Sequence, residues 1–192
     1  MASLLLLDYL QRCRAQYSLL KVEPGYTADE CVRLNHIPPQ RLAKAVMIKL
    51  DDELAMVVMP SHHQLVMERL AQELGVKGAQ LAAERQFRNR FPRCELGAVP
   101  PIGHIFGIRA FIAPGFDESA EVYCKPGAHG ELLYMPFHEL KRFAHWDPIG
   151  PVARAQLKSP SVGHLQRLVG LAKSGTRLGA RAPLQAAIPA SL

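Results

Sequence analysis

Two short apolar runs, Lys44–Leu50 and Leu54–Met59, flank three acids, Asp51-Asp52-Glu53, and constrain this chain more than any other segment. Each run is rich in branched and other apolar side chains and too short for an ordinary helix, so the spacing predicts a β-hairpin with the acids at the turn. Alternate residues of a strand share a face. Lys44 therefore has the parity of Val46, Ile48 and Leu50, while Lys49 goes with Ala45 and Met47. If the larger aliphatic residues turn inward, Lys44 points toward the core at the start of the strand. An ammonium group there is costly unless an anion or carbonyl oxygen meets it. The plain alternative is a strand-end lysine whose head reaches water.

Around the hairpin, strands and helices mix without a regular strand–helix–strand rhythm. Leu4–Tyr17 has helical spacing with Ser3 as its cap, and a short extended piece follows at 19–22. Thr27-Ala28-Asp29-Glu30 is a capping box, in which hydroxyl and carboxylate satisfy the free amides of a helix start. That helix must end near His36, since Pro38-Pro39 cannot continue it. Gln64–Leu74 reads as an amphipathic helix stopped by Gly75, and Gln80–Phe87 as another. Residues 92–103 are a Pro/Gly loop. Ile105–Ala113, Ala120–Tyr123 and Glu131–Met135 read as strands, and Phe137–Phe143 as a closing helix. The expected fold class is α+β: a mixed, largely antiparallel, partly closed barrel-like sheet with surrounding helices.

The net charge of +6 is localised. Six of the 23 Lys/Arg (Arg154, Lys158, Arg167, Lys173, Arg177, Arg181) lie in residues 151–192, which contain no acid, and the remaining 17 balance the 17 acids before them. The reading is a neutral domain over 1–150 and a basic extension over 151–192, partly disordered, with short amphipathic spacing at 162–169 and an open chain at 178–192. Such an extension adds sequence-independent attraction to phosphates or is simply a solvated tail. No run of 18 apolar residues is present, so no membrane span is expected. The N-terminal run Leu4–Leu7 lacks a basic flank and is interrupted by Asp8, unlike a signal peptide. Four scattered cysteines without a CxxC pair (Cys13, Cys31, Cys94, Cys124) read as reduced thiols of a cytoplasmic protein.

Three segments carry candidate chemistry. The first is Lys44. The second is the loop Cys94-Glu95-Leu96-Gly97-Ala98-Val99-Pro100-Pro101-Ile102-Gly103, whose glycines permit close backbone approach and whose prolines stiffen it. Fixed amides of such a loop stabilise a developing oxyanion, although most Pro/Gly loops are connectors. The third is His129, in the Gly-flanked turn Pro126-Gly127-Ala128-His129-Gly130. His62-His63 is rejected as a metal site, because adjacent side chains diverge and no third ligand accompanies them.

In order and spacing, Tyr26–Glu30, Arg41–Lys49, Cys94–Pro101 and Gly127–Leu132 resemble the YbaK-like family, related to the editing domain of bacterial prolyl-tRNA synthetases. The resemblance spans roughly residues 5–147 and excludes the basic extension. It implies a trans-editing hydrolase that removes a mischarged amino acid from tRNA, chiefly tRNA for proline, by water attack on the aminoacyl ester. It implies aminoacyl-tRNA and prolyl-tRNA synthetase as partners, and neither metal nor organic cofactor. Lys44 would match the lysine that holds the 3′ end of the tRNA through phosphate. Gly97 and Pro101 would match the ends of the GxxxP loop, with Ala98, Val99 and Pro100 between them lining the aminoacyl pocket. His129 would sit at the pocket rim and is the candidate general base. Ala45 departs from the Thr or Asn frequent after that lysine, which bears on amino-acid preference. A non-catalytic module binding tRNA or protein, and a thiol hydrolase using Cys94, remain as alternatives.

Overall fold

The computed structural model describes residues 2–155. In chain order its elements are α1 (Leu4–Arg12), β1 (Ser18–Lys21), α2 (Ala28–Leu34), β2 (Leu42–Leu50), β3 (Glu53–Pro60), β4 (His63–Leu65), α3 (Met67–Leu74), β5 (Ala79–Leu81), α4 (Glu84–Phe87), β6 (Arg109–Ile112), β7 (Glu121–Cys124), β8 (Glu131–Pro136), α5 (Phe137–Ala144), β9 (Asp147–Pro148) and β10 (Ala153–Ala155). The amphipathic spacing at 162–169, the open chain at 178–192 and the basic side chains beyond Ala155 lie outside the described residues.

The predicted hairpin is the centre of the sheet. β2 and β3 pair antiparallel from Ala43↔Pro60 to Leu50↔Glu53. The turn is therefore the two residues Asp51-Asp52, with Asp51 at φ 50 and Glu53 already in the strand. The main sheet runs β1-β8-β7-β2-β3-β6-β9, with β5 added on β2. Of the eight strand pairings among the described residues, five are antiparallel and three parallel, the latter joining β2 to β7, β3 to β6 and β6 to β9. This is the mixed, largely antiparallel α+β architecture expected. The edge of β2 opposite β3 pairs with β7 at Leu42-Ala43 and with β5 at Ile48–Leu50. That division leaves Lys44 and Ala45 beyond the last β7 pair.

Both faces of the hairpin are covered, which explains its nearly continuous apolar run. Ala43 and Met47 of β2, with Met56 and Val58 of β3, face the largest core, shared with Leu6 and Leu10 of α1 and Leu133, Leu140 and Phe143. Ile48, Leu50, Val57 and Met59 face a second core closed by Leu70 of α3 and by Val152. The expectation of one inward and one weaker face is thus corrected: the Ala45/Met47 side meets the larger core. Leu6 and Leu10 are fully buried, each contributing on the order of 2 kcal/mol relative to exposure. They anchor α1, whose N-cap Ser3 donates its amide to the Pro126 carbonyl at 2.7 Å.

Several element boundaries differ from the sequence reading. α1 stops at Arg12 rather than Tyr17, because Arg14 takes a left-handed conformation (φ 50) that turns the chain toward β1. The Ser3 hydroxyl makes no capping hydrogen bond. The capping box at Thr27 and Glu30 forms as expected, with bonds of 3.1 and 3.2 Å. Gln64 and Leu65, expected in the helix, are strand, since β10 supplies their backbone partners. Residues 79–81 pair with the free edge of β2, which restricts the second helix to Glu84–Phe87. His104–Phe106 is a 3-10 turn, ended by Gly107 at φ 66, and only Arg109–Ile112 of the expected Ile105–Ala113 is strand.

Candidate functional site

The Pro/Gly loop is tied at both ends. The Glu95 amide donates to the Gly127 carbonyl at 2.9 Å, and Trp146 Nε1 donates to the Pro101 carbonyl at 2.8 Å. Between them Gly97 has φ +73, and a Cβ there would lie 3.1 Å from the Tyr26 carbonyl oxygen. Glycine is thus required by conformation and by close approach. The Ala98 amide closes a turn on the Glu95 carbonyl at 3.0 Å, so it is already engaged. The amides of Gly97 and Val99 donate to no partner among the described residues. Ala98, Pro100 and Pro101 are buried beneath the loop.

Gly97 and Val99 form the divide between two concavities. One is an open cleft of about 1010 Å³, bordered by Tyr26, Arg88, Arg93, Cys94, Leu96 and His129. The other is a small pocket of about 40 Å³ containing Lys44, Ala45 and Lys125 together with Ala28, Leu42 and Ala43. Lys44, Ala45, Gly97 and Val99, far apart in sequence, therefore meet at one place. His129 stands on the cleft side of Gly97, its Cε1 3.8 Å from the ideal Cβ position there. Pro100 and Pro101 line neither concavity and act as the stiff base of the loop.

Lys44 is half-buried and donates from Nζ to the Ser61 carbonyl at 2.9 Å. Ser61 is itself fixed, its hydroxyl on the Pro39 carbonyl and its amide on the Leu42 carbonyl, both at 2.8 Å. Burial lowers the Lys44 pKa from its ordinary value, and the Asp29 carboxylate partly opposes this. With a single hydrogen bond among the described residues, the ammonium group retains donors for an incoming anion.

His129 borders the cleft and is itself buried, at 5% exposure. Its amide donates to Glu95 Oε2 at 2.8 Å. Its Nε2 is 2.6 Å from the Leu96 carbonyl, and its Nδ1 is 3.0 Å from both Lys125 Nζ and the Gly25 carbonyl. Lys125 was not singled out from the sequence. Strand parity would not have found it, because Lys125 goes with exposed Glu121 and half-buried Tyr123 rather than with buried Val122 and Cys124. Tyr26, tilted over the His129 ring at 4.8 Å, and the arginines of the cleft were also missed.

Burial pushes the thiols of Cys31 and Cys94 above their ordinary value, and that of Cys124 up to about 12. None of the four cysteines is in a disulfide. Among the described residues no three or more His, Cys, Asp or Glu side chains gather as metal ligands, and no helix is long and apolar enough to cross a membrane.

The domain is a mixed α+β sheet carrying a glycine loop beside a half-buried lysine, and the sequence assigns it to a family. Residues 22–143 match the aminoacyl-tRNA editing domain, and the chain belongs to that family. The fold is similar to that of the hypothetical protein APE2540, with 18% identity and a TM-score of 0.65 over 78% of this chain and 99% of that one. It is also similar to a proposed trans-editing enzyme for prolyl tRNA synthetase, with 16% identity and a TM-score of 0.62 over 83% of this chain and all of that one. No curated protein sequence matches the chain.

Proposed function

We propose that this protein is an aminoacyl-tRNA deacylase that acts in trans, hydrolysing the ester of a mischarged tRNA, with tRNA for proline as the substrate. The observation that carries the reading is the convergence of Lys44 and the Gly97 loop on one small pocket in a chain of the editing-domain family. Lys44 anchors the 3′ end of the tRNA through phosphate. The amides of Gly97 and Val99, rather than the engaged amide of Ala98, face the developing oxyanion. Ala45, Val99 and the neighbouring alanines leave room for a side chain of only a few heavy atoms, which favours alanine, serine or cysteine over proline. Pro100 and Pro101 hold the loop rigid, and His129 supports it from behind. Prolyl-tRNA synthetase is the partner that supplies the mischarged product.

The reaction needs no catalytic triad. Aminoacyl esters are labile, and useful editing requires about 10³–10⁴-fold acceleration, or about 4–5.5 kcal/mol. One preorganised amide supplies about 3 kcal/mol, and orienting the attacking water beside the ester supplies the rest.

The test is deacylation of tRNAs for proline charged in turn with alanine, cysteine, serine, threonine and proline, using wild type and Lys44→Ala. Loss of one small non-cognate amino acid, slowed about 10²-fold by the substitution, is expected. Tight binding of these tRNAs without turnover would instead make the domain a non-catalytic tRNA-binding module.

A further inference from the structure

Lys125 follows β7 and is nearly inaccessible, at 7% exposure. A buried ammonium group is tolerated only when its hydrogens are met, and here they are. Nζ lies 2.6 Å from the Gly25 carbonyl and 3.0 Å from His129 Nδ1, while the Tyr26 and Gly97 carbonyls share the third direction at 3.4 Å each. The charged groups facing it are Glu30 of α2 and Glu95 of the loop, with the Cys31 thiol also close. All three oppose the lowering of its pKa that burial causes.

The protonation pattern follows from donor accounting. The Leu96 carbonyl can only accept, so His129 Nε2, at 2.6 Å, carries a hydrogen. In a neutral ring Nδ1 is then an acceptor, and the Lys125 ammonium is the donor that meets it. The Gly25 carbonyl lies 3.0 Å from the same nitrogen and 2.6 Å from Lys125 Nζ, and with Nδ1 as acceptor it takes its hydrogen from the ammonium group. Both ring nitrogens are committed, and neither has a free lone pair for a water.

We infer that Lys125 is a positioning residue of the deacylation site, fixing His129 in its Nε2–H form and thereby clamping the Leu96-Gly97 backbone against the Gly25-Tyr26 segment. This inference rests on the deacylase reading above. It makes His129 a strut and removes it as general base. The Gly97 loop thus owes its register to Lys125, acting through His129, although Lys125 also lines the small pocket.

The decisive measurement is a long-range ¹H–¹⁵N correlation spectrum of the full-length wild-type protein at neutral pH, with His129 assigned by His129→Gln. A neutral ring protonated at Nε2 is expected, and a Nδ1–H tautomer or an imidazolium would overturn the clamp. In Lys125→Met the ring should lose its single tautomer. Its kcat for deacylation should fall about 10²-fold, with KM changed less than about threefold. The Lys125→Met/His129→Gln double variant should be no slower than the slower single variant, because the two residues act as one unit. Unchanged kcat in Lys125→Met, or additive losses, would overturn the positioning role. Should Lys125→Met not fold, the wild-type spectrum still decides the clamp. Should wild type deacylate no tRNA in the panel, the functional reading fails, and the same spectrum separates that failure from failure of the clamp.

Discussion

Trp146 Nε1 and the Pro101 carbonyl, 45 residues apart in sequence, are joined by a hydrogen bond of 2.8 Å that ties the turn after α5 to the far end of the Gly97 loop. Trp146→Phe preserves an aromatic ring for the contact with Phe137, whose centroid is 6.1 Å away, but leaves the Pro101 carbonyl without this donor. An unpaired buried carbonyl costs about 1–3 kcal/mol. The urea midpoint should fall accordingly with an unchanged m-value. An unaltered midpoint would mean that the loop's other ties, the Glu95–Gly127 bond and the His129–Leu96 contact among them, hold it without Trp146.

Cys94 borders the cleft, and burial holds its thiol above its ordinary value, with Ser3 opposing only in part. A thiol that remains protonated at neutral pH is a poor nucleophile. Cys94→Ala should therefore keep deacylation within about twofold of wild type. Loss of activity with the fold intact would replace water attack by a covalent thiol mechanism.

His63 and His104 should lower the protein's stability in mild acid. Burial lowers the pKa of each from 6.5, reinforced for His63 by His62 and Lys44, and for His104 by the stacked His145 ring. The Ala144 carbonyl opposes the shift at His104. One nitrogen of each ring is buried without a hydrogen-bond partner among the described residues. Below pH 6.5 the unfolded chain takes up these protons before the folded one, so stability falls as pH drops from 6.5 through the folded-state values. The urea midpoint should be lower at pH 5.5 than at pH 7.5, and His104→Gln should reduce that difference. An equal difference in wild type and variant would exclude His104 as a contributor.

Much of the fold is written locally. The hairpin, the Thr27–Glu30 capping box, the Gly75 stop and the closing helix α5 depend on periodicity, capping and backbone freedom, which neighbouring residues decide. Errors fell where a distant partner overrode local preference. Residues 64–65 and 80–81 carry helix-compatible patterns, yet β10 and the edge of β2 supply them with strand partners. Strand parity likewise placed Lys44 beside Val46 and Ile48, but could not reveal that the opposite face meets the larger core.

The site divides in the same way. Sequence alone picked out the segments proposed to carry the chemistry: a lysine at the start of a strand, a stiff glycine loop and a histidine turn, each recognisable from side-chain type and spacing. Only the tertiary structure decided that Lys44 and Gly97 share one pocket, that the Ala98 amide is spent on a turn, and that His129 is locked between Lys125 and the Leu96 carbonyl. The physical reason is that hydrogen-bond commitments and desolvation depend on neighbours brought together from across the chain, and no local spacing encodes them.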